Sequence, residues 1–217
     1  MVFMTGTGTG RFIAFEGGEG TGKSTQARLL ADALRKIGKS VTVTREPGGT
    51  DGAEAIRNLL LHPPGEGWGP QAEALLFAAA RSDHVLRLIR PALAAGTWVI
   101  SDRFVDSSRA YQGGAGGLGD AAICELHKFG SDGLRPDLTI LLEVDPERVE
   151  QRLMARDGGK SDAIGGRSAE YHAAVARSFR DLAEADPDGF RIVDGTGEPE
   201  KVHERVLAAL TRFFGED

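Results

Sequence analysis

The sequence predicts an α/β fold in which helices flank a five-stranded parallel sheet, giving three layers. Strand and helix patterns alternate along the 217 residues without internal repeats, which favours a parallel sheet covered on both faces. The apolar runs at 12–15, 98–100 and 138–142 are typical of strands that are buried on both sides. Ligands of such sheets bind at the carboxyl ends of the strands.

Five strands and seven helices are predicted in alternation. The strands lie at 11–16, 40–44, 97–102, 138–143 and 191–193. The first helix, at 23–37, follows from Ala27, Leu30, Leu34 and Ile37, which share one face. The helix at 146–154 has Asp145 as its expected N-cap and begins with a proline. The remaining helices are predicted at 52–61, 70–95, 120–129, 169–184 and 199–214.

The pattern predicts one domain, at residues 11–217, after a flexible leader at 1–10 that is rich in Gly and Thr. Residues 62–69 form a loop rich in Pro and Gly. The segment 157–168 holds four glycines between charged residues. We therefore expect a short mobile lid at about 155–168.

Composition excludes several classes of function. Acidic residues outnumber basic ones by 32 to 26, which argues against nucleic acid as a partner. No apolar run approaches the ~20 residues of a membrane span, so no membrane partner is expected. The single cysteine, Cys124, is expected to be a small buried apolar residue, which is consistent with a reducing cytoplasm.

A phosphate-binding loop follows the first strand. It fits the pattern G-x-x-x-x-G-K-[ST], in which backbone N–H groups converge on an anion and the hydroxyl can take a Mg²⁺ position. The predicted helix directs its positive N-terminal end at the phosphates. A glycine-rich turn that binds nothing is the alternative, but strand, loop and helix together favour binding of a nucleoside triphosphate such as ATP. The loop residues are Gly17, Gly18, Glu19, Gly20, Thr21, Gly22, Lys23 and Ser24, with Thr25 next.

Three further segments follow strand ends. Arg45 precedes Pro-Gly-Gly, which suits a cation in the crevice as well as it suits a solvated turn. Asp102 ends a buried strand and is a candidate Mg²⁺ ligand, and Arg103 can pair with a phosphate. The alternative for these two is a structural Asp–Arg pair. Residues 106–113 concentrate hydroxyl, amide and phenol groups within one or two helical turns, which suits recognition of a base and a sugar.

These segments resemble the thymidylate kinase family in its bacterial form. The resemblance rests on FEGGEGTGKST at 15–25, TREPGGT at 44–50, LFAAAR at 76–81 and SDRFVDSSRAYQG at 101–113. It implies a P-loop kinase fold, transfer of phosphate from ATP to dTMP with Mg²⁺, a homodimer and a role in dTTP supply for DNA synthesis. The metal positions that it implies are Ser24 and Asp102.

The resemblance also assigns the acceptor site. Phe77 would stack on thymine, although by pattern alone it could belong to the core of the long helix. The base edge would meet Arg81, Ser108 and Gln112, and Tyr111 would crowd the sugar 2′ position. The family's cations around the acceptor phosphate correspond to Arg45, Arg57 and Arg103, and its acidic loop residue to Glu19.

The lid is where the sequence departs from the family. One subtype has an arginine in the phosphate loop, where this chain has Gly20; the subtype resembled here uses a cation from the lid. The candidates are Arg152, Arg156, Lys160 and Arg167. Arg156 best matches the arginine that packs on adenine, which leaves Lys160 or Arg167 for the phosphates. The family's Asp-Arg-x-Glu is here Asp-Ala-Ile-Gly at 162–165. The implied catalytic set is Lys23, Arg45, Arg103, Lys160 and Arg167.

Two other classes of function are compatible with a phosphate loop. A P-loop kinase with another acceptor is the nearest, and the base-edge residues above argue for a pyrimidine. A nucleotide-operated switch specific for guanine would need Asn-Lys-x-Asp, whereas Asn58 is the only asparagine and is followed by leucine.

Overall fold

The parallel α/β sheet predicted from the sequence is confirmed. The structure, a computed structural model, describes residues 10–157 and 165–214, without the side chains at 153, 155–157 and 211–214. Its strands are β1 (Phe12–Glu16), β2 (Val41–Arg45), β3 (Trp98–Asp102), β4 (Leu138–Glu143) and β5 (Phe190–Asp194). They pair in the order β2-β3-β1-β4-β5, with every pairing parallel.

Helices cover both faces of the sheet. The long helix predicted at 70–95 is a continuous run in which α3 passes into a π-helical segment, π1, and then α4. One helical region was not predicted as an element: the polar segment after β3 forms α5 and a second π-helical segment, π2. The bounds are α1 (Lys23–Lys36), α2 (Asp51–Leu61), α3 (Pro70–His84), π1 (Val85–Ile89), α4 (Arg90–Ala94), α5 (Val105–Ser108), π2 (Arg109–Ala115), α6 (Asp120–Ser131), α7 (Pro146–Asp157), α8 (Ala169–Ala185) and α9 (Pro199–Phe214).

The core lies on both sides of the sheet, as the apolar strands predicted. On one side α1 and α9 pack on β1, β3 and β4 through residues such as Leu30, Leu34 and Val206. On the other side Phe12 of β1 meets the Phe104 ring edge-on at 4.8 Å, and Ile89 joins the same cluster. Because β1 is central, the loop that follows it is fixed from both faces.

The expectation for Cys124 was wrong, because its side chain is exposed. The buried face of α6 is formed by Ile123, His127 and Ser131, which repeat every four residues. Cys124 lies one position off that face and therefore points to solvent.

None of the helices in the described residues combines the length and apolar character needed to cross a membrane. The predicted leader, apart from Gly10, and residues 158–164 of the predicted lid lie outside the described residues.

Candidate active site

The phosphate loop joins β1 to α1 at the carboxyl edge of the sheet. Gly22 is the N-cap of α1 with φ 95°, a left-handed conformation that glycine adopts without strain. Lys23 donates from Nζ to the carbonyl of Gly18 at 2.6 Å and is buried in the loop. Burial, together with the charge of Arg103, lowers the pKa of Lys23 to about 8. An anion in the loop stabilises the protonated lysine.

Ser24 and Asp102 meet at the start of α1. The hydroxyl of Ser24 donates a short hydrogen bond to Oδ2 of Asp102, across 78 positions of sequence. A hydroxyl beside a carboxylate at a phosphate loop is a donor set that fits Mg²⁺, which prefers oxygen ligands and keeps several places for phosphate and water. The structural Asp102–Arg103 pair considered from the sequence does not form, since each side chain has a different partner.

Arg103 spans the acceptor side of the loop. Its φ of 72° turns the side chain away from that of Asp102. The guanidinium donates to the Gly17 carbonyl and to Ser107 Oγ, both at 3.0 Å, and to Glu19 at 2.6 Å. It also lies 5.1 Å from the centre of the Tyr111 ring. The side chain is only 14% exposed, so its orientation is fixed before any ligand arrives.

Glu16, at the end of β1, fixes the segment that carries these residues. Its Oε1 accepts from the backbone N–H groups of Phe104 and Ser107 at 2.8 and 3.0 Å, and its Oε2 accepts from Ser107 Oγ at 2.6 Å. Burial and repulsion from Asp106 raise the pKa of Glu16 to about 7. Glu16 was not among the predicted site residues, although a carboxylate that ends an apolar strand was a usable signal.

A cavity of about 570 Å³ extends from the phosphate loop along the carboxyl ends of β2 and β3. Most of the predicted site residues line it. These are Glu19, Gly20, Gly22, Lys23, Ser24 and Thr25 of the phosphate loop and α1, and Arg45, Arg57, Phe77, Asp102, Arg103, Ser108, Tyr111 and Gln112 of other elements. Gly17, Gly18, Thr21, Arg81 and Arg167 do not belong to this lining.

The two other predicted acceptor cations enter from β2 and α2. Arg45 lines the cavity and forms an ion pair with Glu54 at 2.9 Å. Arg57 donates to the Pro47 carbonyl at 2.8 Å. Between them Gly49 has φ 92°, and a Cβ there would lie 2.7 Å from Nε2 of His84. Glycine is therefore required for the β2–α2 turn to pack on α3.

Phe77 belongs to the cavity wall more than to the core. It is half-buried, lines the cavity and is absent from the buried apolar clusters of the described residues. The alternative that it only packs the long helix is therefore disfavoured. The Tyr111 ring lies edge-on to Phe179 at 6.1 Å, which holds it against α8.

Arg81 lies behind the cavity wall. It donates to Glu46 Oε2 at 2.7 Å and to Ser108 Oγ at 2.9 Å, and Glu46 Oε1 is 3.0 Å from Nδ1 of His84. Burial raises the pKa of Glu46, but the charges and hydrogen bonds of Arg81 and His84 outweigh this and hold it below its usual value. Glu46 and His84 were not predicted; the acidic residue inside TREPGGT was the available signal.

Of the four lid candidates, two have described side chains. Arg152 lines the cavity and donates to the Gly20 carbonyl at 3.4 Å and the Gly195 carbonyl at 3.1 Å. Arg167, which the sequence offered together with Lys160 as the cation for the phosphates, forms an ion pair with Glu73 and donates to the Tyr171 hydroxyl. The Arg156 side chain and all of Lys160 lie outside the described residues.

Comparison with known proteins gives one consistent result. The family model described as thymidylate kinase matches residues 15–206. The thymidylate kinase of Rhizorhabdus wittichii is 54% identical over 93% of this chain and 97% of its own length. That of Bradyrhizobium diazoefficiens is 46% identical over 94% and 90%. The crystal structure of thymidylate kinase from Ehrlichia chaffeensis superposes with a TM-score of 0.75 at 33% identity, covering 94% of this chain and all of that one.

Proposed function

This chain belongs to the thymidylate kinase family, and on that premise we propose that it transfers the γ-phosphate of ATP to dTMP with Mg²⁺, producing dTDP and ADP. One observation carries the proposal. A single cavity is lined by Lys23 of the phosphate loop, by Arg103, which is bonded to that loop, and by Phe77 and Gln112 of other elements. Two nucleotides can therefore meet at their phosphates within it.

The chemistry is alignment and charge stabilisation. The acceptor is already an anion, so transfer needs no strong general base, and the protein's task is to hold two polyanions in line. Lys23 and the loop amides hold the donor phosphates, while Arg103, with Arg45 and Arg57, holds the acceptor phosphate. When bound, Mg²⁺ neutralises charge on the phosphates, and Ser24 and Asp102 would hold it. Glu19 keeps Arg103 in place through their ion pair.

The base end selects a deoxypyrimidine. Phe77 stacks on the ring, Ser108 and Gln112 hydrogen-bond its edge, and Tyr111 crowds the sugar 2′ position. Arg81 acts by holding Ser108, at 2.9 Å, and its buried position supports this indirect contact with the base.

The cations on the donor side come from α7 and the segment after it. The hydrogen bond from Arg152 to the Gly20 carbonyl supports a role as a donor-side cation. It brings a positive charge to the loop position where the other subtype has an arginine. We assign Arg156 to the adenine and Lys160 to the transferred phosphate. The contacts of Arg167 with Glu73 and Tyr171 point to a different task, which is argued below.

We also propose a homodimer in the cytoplasm. Leu75 and Leu86 are 56% and 67% exposed on the α3–π1 helix, and Phe129 on α6 is 93% exposed. Gly130 of α6 packs on Ser82 of α3, 3.5 Å from the position that a Cβ would take, so α6 lies beside the helix of Leu75, and we take the three side chains as one surface. A second copy of the chain would cover it. A cytoplasmic location fits an enzyme whose product supplies DNA synthesis.

The test is an assay of ATP- and Mg²⁺-dependent phosphorylation of dTMP, dUMP, UMP, CMP, AMP and GMP. We expect kcat/KM to be highest for dTMP and much lower for UMP, because Tyr111 excludes a 2′-hydroxyl. Equal rates for dTMP and UMP would refute the roles of Tyr111, Ser108 and Gln112. No activity with dTMP would refute the function itself.

A further inference from the structure

Glu73 connects the base end of the cavity to the segment that follows residues 158–164. It lies in the first turn of α3, and its side chain is 13% exposed. Its Oε1 accepts a hydrogen bond of 2.9 Å from Nε2 of Gln112. Its Oε2 accepts a short hydrogen bond from Arg167. One carboxylate thus joins a residue of the cavity wall to a cation 94 positions away in sequence.

The carboxylate determines which way the Gln112 amide faces. An ionised carboxylate only accepts hydrogen bonds, so the NH₂ group of Gln112 must face Glu73 and the carbonyl oxygen must face the other way. That oxygen is not among the buried polar atoms without a partner in the described residues, and Gln112 lines the cavity. The amide therefore presents an acceptor to a ligand in the cavity.

Arg167 keeps Glu73 in this position. Its guanidinium also donates to the Tyr171 hydroxyl and lies 4.6 Å from the centre of that ring. The Tyr171 hydroxyl in turn donates to the Tyr111 carbonyl at 2.9 Å. Arg167 is consequently held by two residues, Glu73 of α3 and Tyr171 of α8, and Tyr171 is itself bonded to the backbone of Tyr111.

Building on the proposed function, we propose that Glu73 is a specificity-determining positioning residue, which locks the Gln112 amide so that the cavity accepts a base with an N3–H and rejects one without it. Thymine and uracil carry a hydrogen at N3 and can donate it to Gln112 Oε1. Cytosine has a lone pair at N3, which would face the same oxygen. Two buried acceptors that face each other without a hydrogen between them, here N3 of cytosine and Oε1 of Gln112, weaken binding of the nucleotide about tenfold.

Glu73→Gln tests the lock with almost no change in shape. The new side chain has a single carbonyl oxygen, and Arg167 competes for it because a guanidinium only donates. The NH₂ group of the introduced glutamine then faces Gln112 and turns its amide around. We expect the ratio of kcat/KM for dTMP over dCMP to fall about tenfold or more, while the ratio for dTMP over dUMP stays unchanged.

A second variant separates this role from a phosphate contact. Arg167→Ala alone should leave the dTMP-to-dCMP ratio near the wild-type value, because Glu73 still only accepts. The double variant with Glu73→Gln and Arg167→Ala should recover much of the lost dTMP-to-dCMP ratio. Without Arg167, the carbonyl oxygen of the glutamine introduced at 73 can accept from the NH₂ group of Gln112. If Arg167 acts on the phosphates, Arg167→Ala would instead lower kcat for both nucleotides in either background. That result would refute this assignment.

Controls make each outcome decisive. Glu204→Gln removes a carboxylate from an exposed ion pair with Lys201 on α9 and should leave all ratios unchanged. Dissociation constants for dTMP and dCMP from calorimetry should shift with the kinetic ratios. A Glu73→Gln enzyme that phosphorylates dTMP and keeps the full wild-type ratio overturns the inference, whereas a wild-type enzyme inactive on dTMP overturns the proposed function.

Discussion

Arg103 donates a hydrogen bond of 2.6 Å to Oε1 of Glu19, which joins the segment after β3 to the phosphate loop. The neighbouring Asp102 is bonded instead to Ser24, at the start of α1. Two consecutive residues thus contact different parts of the loop, the parts that we propose face the acceptor phosphate and the metal. The left-handed backbone of Arg103, with φ 72°, makes this divergence possible.

Two substitutions of Arg103 distinguish the role of its guanidinium from the strain of its left-handed backbone. Arg103→Ala and Arg103→Gly should both lower kcat/KM for dTMP about 100-fold or more, because the acceptor phosphate loses its paired cation. Their stabilities should differ: a left-handed residue with a Cβ is strained, so the glycine variant should be the more stable by about 1 kcal/mol. Urea denaturation measures the difference. Equal stabilities would contradict strain at this position.

Local patterns determined how much could be predicted. The phosphate loop, its strand and its helix are specified by neighbouring residues, and the sequence places Lys23, Ser24 and their helix correctly. The segment 106–113 was predicted only as one or two helical turns without helix bounds, because α5 and π2 are positioned by Glu16 from another strand. No periodicity within 105–115 contains that information.

Side-chain partners that are distant in sequence could not be predicted. Arg81 and Phe77 share a helix face by spacing, yet one is buried on Glu46 and the other lines the cavity. Arg167 was one of two candidates for the phosphates, and its partner Glu73 lies in another helix, 94 positions away. Charge alone does not indicate which of several anions a long side chain reaches.

The carboxylate of Asp102 should govern metal dependence. Asp102→Asn keeps the shape and removes the charge, so we expect kcat to fall about 100-fold and the Mg²⁺ concentration for half-maximal activity to rise. Binding of dTMP alone should be unaffected. Mg²⁺ titrations of activity, with calorimetry for dTMP, measure both. Asp132→Asn, at an exposed pair with Arg90, is the control. Unchanged Mg²⁺ dependence would remove Asp102 from the metal site.

The ring of Phe77 should contribute to acceptor binding. Base–aromatic stacking contributes about 1–3 kcal/mol, so Phe77→Ala should raise KM for dTMP roughly 10- to 100-fold, with KM for ATP nearly unchanged. Phe77→Tyr retains a ring and should stay close to wild type. Steady-state kinetics with each substrate varied provides the measurement. A KM for dTMP that does not move in the alanine variant would make Phe77 a packing residue.

The carboxyl of Glu16 should make stability depend on pH. Its pKa is about 7 in the folded protein against an ordinary 4.5, through burial and Asp106. Between these values the folded state holds the proton more often, so the free energy of unfolding falls as pH rises through this window. Glu16→Gln removes the titration. Relative to wild type, the variant should gain roughly 2–3 kcal/mol between pH 4.5 and 7.5. Urea denaturation at both pH values measures the free energies of unfolding. A difference between variant and wild type that is the same at both pH values would contradict the assignment.

The exposed ring of Phe129 should hold two copies of the chain together. A charge in the centre of an apolar interface is costly, so Phe129→Glu and Leu75→Glu should each give a monomer at micromolar concentration in analytical ultracentrifugation, where the wild type sediments as a dimer. Ile37→Glu replaces another exposed apolar residue, 40% exposed at the end of α1, and should remain dimeric. A wild-type monomer, or a dimer that survives both substitutions, would show that this surface is not the interface.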